Sequence, residues 1–463
     1  MSAGLLEKES TGGAIAREGF DYQDAFVLLN LPRWLAQSAF SHVVSEAAGD
    51  VEVCYFAPGG SFRRVMYEAK DTTLSGTKFW DEVARFKVLH ETSPAEFGRF
   101  SLVCRNFNTV TSPFLSKVDR LRGVGQSFPA SSPLVVDARR DILVWARASG
   151  VEVELAEFAL DRVHFVTFAA EHADAAFTGE VAAHLPRLDL TSSQLGRLRE
   201  RCKTLISHSS YRPVTRREIE AEIADVLGAD ADRWSVVPTP VRMAGSSLAT
   251  EEMGLDIEAV NGPDRAAATS ADWARVAADL AGVREFVQGA TARRCVALDG
   301  KQRMSLATLL GQTFSATRGF VLEIEHNGKV FRTDDHARQD SAFFDGTLPE
   351  GQGVATGVAC IAFPTPVSFE GSLTALGIGD LPRLTLQSVR PIDGIDTLNS
   401  AVAEAKAALV KFRSERSLTK IHLFIKAPSH FAMTLGHRLN GVCDLQLYDW
   451  INGTYVSTLL LRA

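Results

Sequence analysis

Residues 45–70 read SEAAGDVEVCYFAPGGSFRRVMYEAK, and the reading of this stretch decides the fold of the first half of the chain. Val51, Val53 and Tyr55 alternate with Glu52, Cys54 and Phe56 at the period of a strand. Pro58-Gly59-Gly60 supplies a turn and Val65-Met66-Tyr67 opens a second strand, so the segment predicts an antiparallel hairpin. Side chains two apart on a strand share a face, which projects Glu68 and Lys70 together and turns Ala69 away. Asp50 stands 18 residues before Glu68, where the first strand begins, and so comes back beside the far end of the second, with Glu46 just upstream. Converging acids and a lysine suit phosphodiester hydrolysis. Carboxylates hold a hard cation that polarises a phosphoryl oxygen and acidifies a bound water, while the ammonium orients the nucleophile or stabilises charge on phosphorus.

The flanking segments extend this reading. Residues 12–23, GGAIAREGFDYQ, lead into a helix expected over Ala25 to Leu31, which makes Gln23 an auxiliary candidate. Downstream, Phe79, Val83, Phe86 and His90 fall on one face of an amphipathic helix from Thr77 to His90. Lys78 and Arg85 line up beside that face, where they could meet a phosphate backbone. Phe100 to Cys104 reads as a buried strand that completes an α/β core. This arrangement resembles the PD-D/E-x-K restriction-endonuclease superfamily, with Asp50 and Glu68 in the acidic positions, Lys70 as the lysine, and Gly49 where the proline usually stands. The segment ending in Gln23 is similar to the signature that opens the nuclease domain of certain antiphage effectors, where the glutamine lies near the metal site. The resemblance implies Mg²⁺ (or Mn²⁺) held by Asp50 and Glu68, Lys70 activating or orienting water, and Glu46 and Gln23 in auxiliary roles.

With 463 residues the chain exceeds one core, so two or three domains are expected. The six cysteines (Cys54, Cys104, Cys202, Cys295, Cys360, Cys443) show no paired or zinc-like spacing and read as reduced core residues of a cytoplasmic protein. No leader and no long apolar run suggests secretion or membrane insertion. Net charge is −7, divided as −5 over residues 1–233 and −2 over 234–463, so any DNA must be held by a local patch. Pro113 to Pro133, with Lys117, Arg120 and Arg122, predicts loop and helix; Leu134 to Val136 and Val163 to Val166 predict short strands. Helices are expected over Leu195 to Ile206 and Arg216 to Leu227. Thr215 and Glu218 form a capping box for the second, and Gly228 ends it. Residues 235–270, with Pro238, Pro240 and Gly245-Ser246-Ser247, read as linker. The expected domains are therefore 1–233, a nuclease with a helical extension, and 234–463, with a linker-like start at 234–270 and a core from about 290 to 463.

Residues 307–328 overlie 432–453 at a constant offset of 125, with six identities in 22 positions that include Gly311 with Gly436 and Asn327-Gly328 with Asn452-Gly453. Each copy carries strand, helix, strand and Asn-Gly turn, so a duplicated β-α-β unit is expected. Two such units set strand ends and helix N-termini about one crevice that favours an anionic ligand. Asp299, Lys301 and Arg303 from one unit and Lys426, Pro428 and Ser429 from the other are the expected lining, with Lys301, Arg303 and Lys426 as phosphate partners. Gly377-Ile378-Gly379 reads as a turn before Leu381-Pro382.

The run Ile421 to Pro428, with Leu435-Gly436 and Leu447-Tyr448-Asp449, looks like the closing motif of SAVED domains, fused pairs of CARF-like Rossmannoid units. Joined to the nuclease resemblance, it makes the chain resemble the SAVED-containing effector endonucleases of cyclic-oligonucleotide antiphage (CBASS) systems. That resemblance implies a cyclic di- or trinucleotide from a cognate nucleotidyltransferase as activator, ligand-induced homo-oligomers, and cleavage of double-stranded DNA. Two rival readings are a constitutive Mrr-like restriction endonuclease and a non-catalytic nucleotide-binding scaffold.

Overall fold

The computed structural model describes residues 5–59, 61–209, 211–244, 250–347 and 355–462. The chain divides into two compact units, one holding residues 61–234 with 1–57, the other holding 235–463. In the first, α1 (Leu5–Ala36) leads into β1 (Phe40–Ser45), β2 (Val51–Ala57) and β3 (Ser61–Leu74), then α2 (Gly76–Thr92) and β4 (Phe97–Phe107). Next come α3 (Ser112–Ser127), α4 (Pro133–Ala148), α5 (Val153–Arg162), β5 (Val163–Thr167), α6 (Ala173–His184), α7 (Ser192–Ser207), β6 (Val214–Thr215) and α8 (Arg216–Leu227). The strands form one sheet ordered β5-β4-β3-β2-β1-β6, parallel from β3 to β5 and antiparallel elsewhere.

The expected hairpin is present, with Val51 opposite Tyr67 and Val53 opposite Val65. Each face of β3 has its own cover. Phe26 and Trp34 of α1 bring their rings to 5.2 and 5.8 Å from Tyr67. On the other face Phe79, Val83 and Phe86 of α2 pack with Met66, Phe100, Leu102 and Cys104. The period of two therefore sends Glu68 and Lys70 to the α2 side.

Three readings change. The first helix runs from Leu5 rather than Ala25, because Gly12-Gly13 lowers local propensity without breaking the helix. Leu134 to Val136 lie in α4, not in a strand: Pro133 opens the helix, and Ile142 and Ala146 bury its inner face. The stretch read as linker folds into the second unit, apart from Gly245-Ser246-Ser247, which lie outside the described residues. Arg216, the first residue of α8, is buried, pairs with Glu220 at 3.0 Å, and donates to the carbonyls of Leu35, Gln37, Ser38 and Phe40. It thereby satisfies oxygens that the end of α1 leaves without intrahelical donors.

After α9 (Asp232–Ser235), most of which belongs to the first unit, the second unit runs through β7 (Thr239–Pro240), β8 (Arg242–Ala244), β9 (Gly254–Asp256), α10 (Glu258–Asn261) and α11 (Ser270–Ala290). The first repeat is β10 (Cys295–Asp299), α12 (Met304–Thr313), β11 (Val321–His326) and β12 (Lys329–Arg332). After β13 (Asp345–Thr347), β14 (Thr356–Ala362), α13 (Glu370–Ala375), β15 (Arg383–Gln387) and α14 (Ile395–Arg416), the second repeat is β16 (Lys420–Lys426), α15 (Ser429–Arg438), β17 (Asp444–Ile451) and β18 (Thr454–Leu461). Its sheets are β12-β11-β10-β7 and β13-β15-β14-β16-β17-β18, besides the β8-β9 pair. Each repeat joins its first two strands in parallel and closes with an antiparallel hairpin. Both Asn-Gly turns have positive φ, 51° and 75° at Asn327-Gly328, 50° and 85° at Asn452-Gly453, as type I′ geometry requires.

α12 and α15 cross through their glycines. A Cβ at Gly311 would strike the carbonyl of Met433, and one at Gly436 would strike that of Thr308. The contacts are reciprocal under the offset between repeats, which places a local twofold at the crossing.

Candidate functional site

Asp50 leaves the sheet at the start of β2, next to the tight connection from β1. That connection is closed by a hydrogen bond from Glu46 N to Asp50 O at 2.9 Å, with Glu46 at φ 61°. Glu52 fixes the same loop from beneath: buried, it accepts from Ala48 N at 2.6 Å and pairs with Arg64 at 2.8 Å. Nothing in the local sequence pattern distinguishes Glu52 from a solvated strand charge. Asp50 Oδ2 then accepts from Ala69 N at 2.7 Å and lies 3.5 Å from Lys70 Nζ, while Lys70 Nζ sits 2.5 Å from Glu68 Oε1. The structure thus brings Asp50, Glu68 and Lys70 together.

The electrostatics describe a site short of positive charge at Asp50 and rich in it at Glu68. Burial, then the Glu68 charge, pushes the Asp50 carboxyl up to about 6 against the pull of Lys70; Glu46 also raises it. For Lys70, burial works against the charge, but the hydrogen bond to Glu68 and the charges of Asp50, Glu68 and Glu82 outweigh it and hold the ammonium above its ordinary value. The oxygen donors suit a hard cation such as Mg²⁺ or Mn²⁺. Among the described residues no cluster of three or more His, Cys, Asp or Glu could hold a metal alone, so further ligands must come from backbone, water or substrate.

Arg85, expected to face DNA, instead turns inward from α2 onto Glu68 Oε2, with its Nε on Glu82 at 2.9 Å. Its inward course depends on how α2 docks, which helical spacing does not reveal. Lys78 is exposed on the first turn of the same helix. Gln23 is buried on α1, which covers the opposite face of β3, and no described hydrogen bond joins it to Asp50, Glu68 or Lys70.

In the second unit the six expected ligand residues do not share one crevice. Arg303 and Lys426 line a cavity of about 500 Å³ with Gln302, Phe369, Trp450 and Tyr455, whereas Asp299 and Lys301 line a separate one of about 570 Å³. Lys301 is the register mate of Lys426, so each repeat contributes its lysine to its own mouth. Pro428 only caps α15, and Ser429 is buried with its hydroxyl on the carbonyl of Gly300. The N-terminus of α12 faces the first cavity, but Ser305 N already donates to the buried Asp449 at 2.9 Å. Trp450 and Tyr455 are not among the residues the sequence pattern points to. They flank the Asn452-Gly453 turn with rings 5.0 Å apart, and Trp450, which lines the cavity, remains 53% exposed. Aromatic residues on both sides of a hairpin turn were the available signal.

Residues 11–210 match the family described as Cap4, dsDNA endonuclease domain, and residues 280–461 match the SMODS-associated and fused to various effectors sensor domain, SAVED. CD-NTase-associated protein 4 of Moraxella osloensis and that of Acinetobacter sp. (strain ATCC 27244 / 9458) are each 50% identical to this chain over 463 residues, covering 100% of both partners. The solved structure of the Acinetobacter baumannii Cap4 SAVED/CARF-domain containing receptor with the cyclic trinucleotide 3'3'3'-cAAA matches with a TM-score of 0.88 and 46% identity, covering 96% of this chain and 99% of that one. The Moraxella osloensis Cap4 receptor matches with a TM-score of 0.87 and 46% identity, covering 96% of this chain and 100% of its own. Among the described residues no helix is long and apolar enough to cross a membrane. With an endonuclease domain at its head, a SAVED sensor domain at its tail and relatives half identical from end to end, the chain belongs to the CD-NTase-associated protein 4 family.

Proposed function

We propose that this chain degrades double-stranded DNA by metal-dependent hydrolysis at Asp50, Glu68 and Lys70 when a cyclic trinucleotide enters the cavity between Arg303, Lys426 and Trp450. The observation that carries the catalytic half is the meeting of Asp50, Glu68 and Lys70. When bound, a divalent cation supplies Lewis acidity toward the phosphate and a more acidic water. Asp50 and Glu68 would hold the cation, and Glu46 adds negative potential beside Asp50. Lys70, which reaches Asp50 Oδ2 and Glu68 Oε1, activates or orients the attacking water or meets charge on phosphorus. In the sensor, Arg303 and Lys426 would meet phosphates, and the open face of Trp450 would stack a base. The relative solved with 3'3'3'-cAAA supports a cyclic trinucleotide as the ligand. Assembly of several chains on the messenger, with action in the cytoplasm, belongs to the same proposal.

The test is plasmid degradation with purified chain, Mg²⁺ and a panel of cyclic di- and trinucleotides. Loss of DNA only when Mg²⁺ and one messenger are both present supports the reading; cutting without any messenger establishes a constitutive enzyme instead. Trp450→Ala is expected to weaken messenger binding about 5- to 100-fold, the equivalent of one lost stacking contact, while saturating messenger restores cutting. Unchanged messenger affinity by calorimetry removes Trp450 from the pocket.

Proton and metal compete for Asp50. Because its folded value is about 6, the carboxyl takes up a proton as pH falls through that value and can no longer hold a cation. Cutting is expected to decline below pH 6, with a midpoint that moves to lower pH when Mg²⁺ is raised tenfold. A midpoint indifferent to Mg²⁺ would place the titrating group elsewhere.

A further inference from the structure

We infer that Arg85 is a resident counter-cation of the nuclease site, holding one oxygen of the Glu68 carboxylate, so that a divalent cation gains the full charge of that carboxylate only as the guanidinium lets go. The inference rests on reading Asp50 and Glu68 as the metal pair. Glu68 is buried, and each of its oxygens faces a different cation: Lys70 Nζ at Oε1 and Arg85 Nη2 at Oε2. A buried carboxylate left without a partner is costly, so the protein supplies one when no metal is bound. Arg85 also reaches the carbonyl of Ala48 at 3.5 Å, in the loop that carries Glu46 and Asp50, and so ties α2, β3 and that loop together.

The guanidinium is held by a second carboxylate at the same time. Glu82, one helical turn before it on α2, accepts from its Nε at 2.9 Å. A guanidinium displaced from Glu68 stays paired with Glu82, which lowers the cost of its departure and keeps it beside the site. Arg85 is thus a positioning residue whose effect is exerted through Glu68, and Glu82 sets how readily it moves.

Mn²⁺ binding to the full chain, measured by calorimetry without DNA or messenger, tests this directly. Arg85→Gln is expected to bind Mn²⁺ about tenfold more tightly than the parent, since a positive charge in contact with a ligand is removed, while Arg85→Lys stays close to the parent. Glu82→Gln should weaken Mn²⁺ binding, because the guanidinium loses its second partner, and that effect should vanish in the Arg85→Gln background. Arg85→Gln should also melt lower than the parent in chelator and regain the difference in excess Mn²⁺. A lower melting temperature with Mn²⁺ affinity unchanged or weakened would show a purely structural arginine and overturn the inference, as would a Glu82→Gln effect that persists without Arg85. Asp50→Asn separates the two claims. If it retains parental Mn²⁺ affinity, the metal-site reading falls and this inference with it; if it loses Mn²⁺ while Arg85→Gln is indifferent, only the role of Arg85 is refuted.

Discussion

Lys70→Met is expected to reduce messenger-triggered plasmid cutting by about 10²- to 10³-fold, the usual loss when one group that stabilises developing charge is removed from an enclosed site. Methionine keeps a long, unbranched side chain and removes the ammonium, so the comparison isolates charge. Removal of Lys70 leaves Glu68 paired with Arg85, and the stability loss should stay within about 1–3 kcal/mol, that of a lost charged hydrogen bond. The activity deficit should persist at saturating Mg²⁺, because Lys70 acts beside the cation and not as its ligand. Messenger affinity, measured by calorimetry, should be unchanged, since Arg303, Lys426 and Trp450 belong to the other unit. Cutting within threefold of the parent would strip Lys70 of its assigned part, whatever the hairpin geometry.

What could be read from the sequence follows the range of the interactions concerned. The hairpin and its E-x-K triplet are set by a period of two and a turn, so Asp50, Glu68 and Lys70 could be brought together from spacing alone. The capping box at Thr215 and Glu218 is equally local, and both of its hydrogen bonds are formed. The duplicated unit was visible because its glycines and Asn-Gly turns answer to backbone geometry, which tolerates few substitutes. Arg85 shows the limit: spacing places it along one side of α2, but only the docking of that helix on β3 decides whether it meets DNA or Glu68. Arg216 and Glu52 were hidden for a similar reason, being buried charges whose partners lie in the closing of distant or cramped backbone. Leu134 to Val136 misled because three apolar residues carry no period. The sensor cavity was half legible: the lysines after the first strands were found, but pairing of Arg303 with Lys426 rather than Lys301 depends on how the two repeats face each other.

Gly436→Ala is expected to destabilise the sensor unit although alanine is the better helix former. Intrinsic propensity favours the substitution by about 1 kcal/mol. Against this, the new Cβ would lie on the carbonyl of Thr308, a backbone atom that cannot rotate aside, so α12 and α15 must separate along their crossing. Overpacking of a tight contact costs about 1–3 kcal/mol, and more where backbone has to move, so the net loss should reach about 2 kcal/mol. Gly311→Ala meets the carbonyl of Met433 in the mirrored geometry and should behave alike. Once one Cβ has parted the helices the second finds room, so the double variant should lose less than the two single losses combined. In calorimetry of the full chain, the transition that messenger raises is the one expected to fall. Messenger affinity should drop as well, because α12 carries Arg303 at its N-terminus into the cavity and shifts with the crossing. A Gly436→Ala chain that melts higher than its parent, as propensity alone would have it, would mean that the two helices do not meet through their glycines.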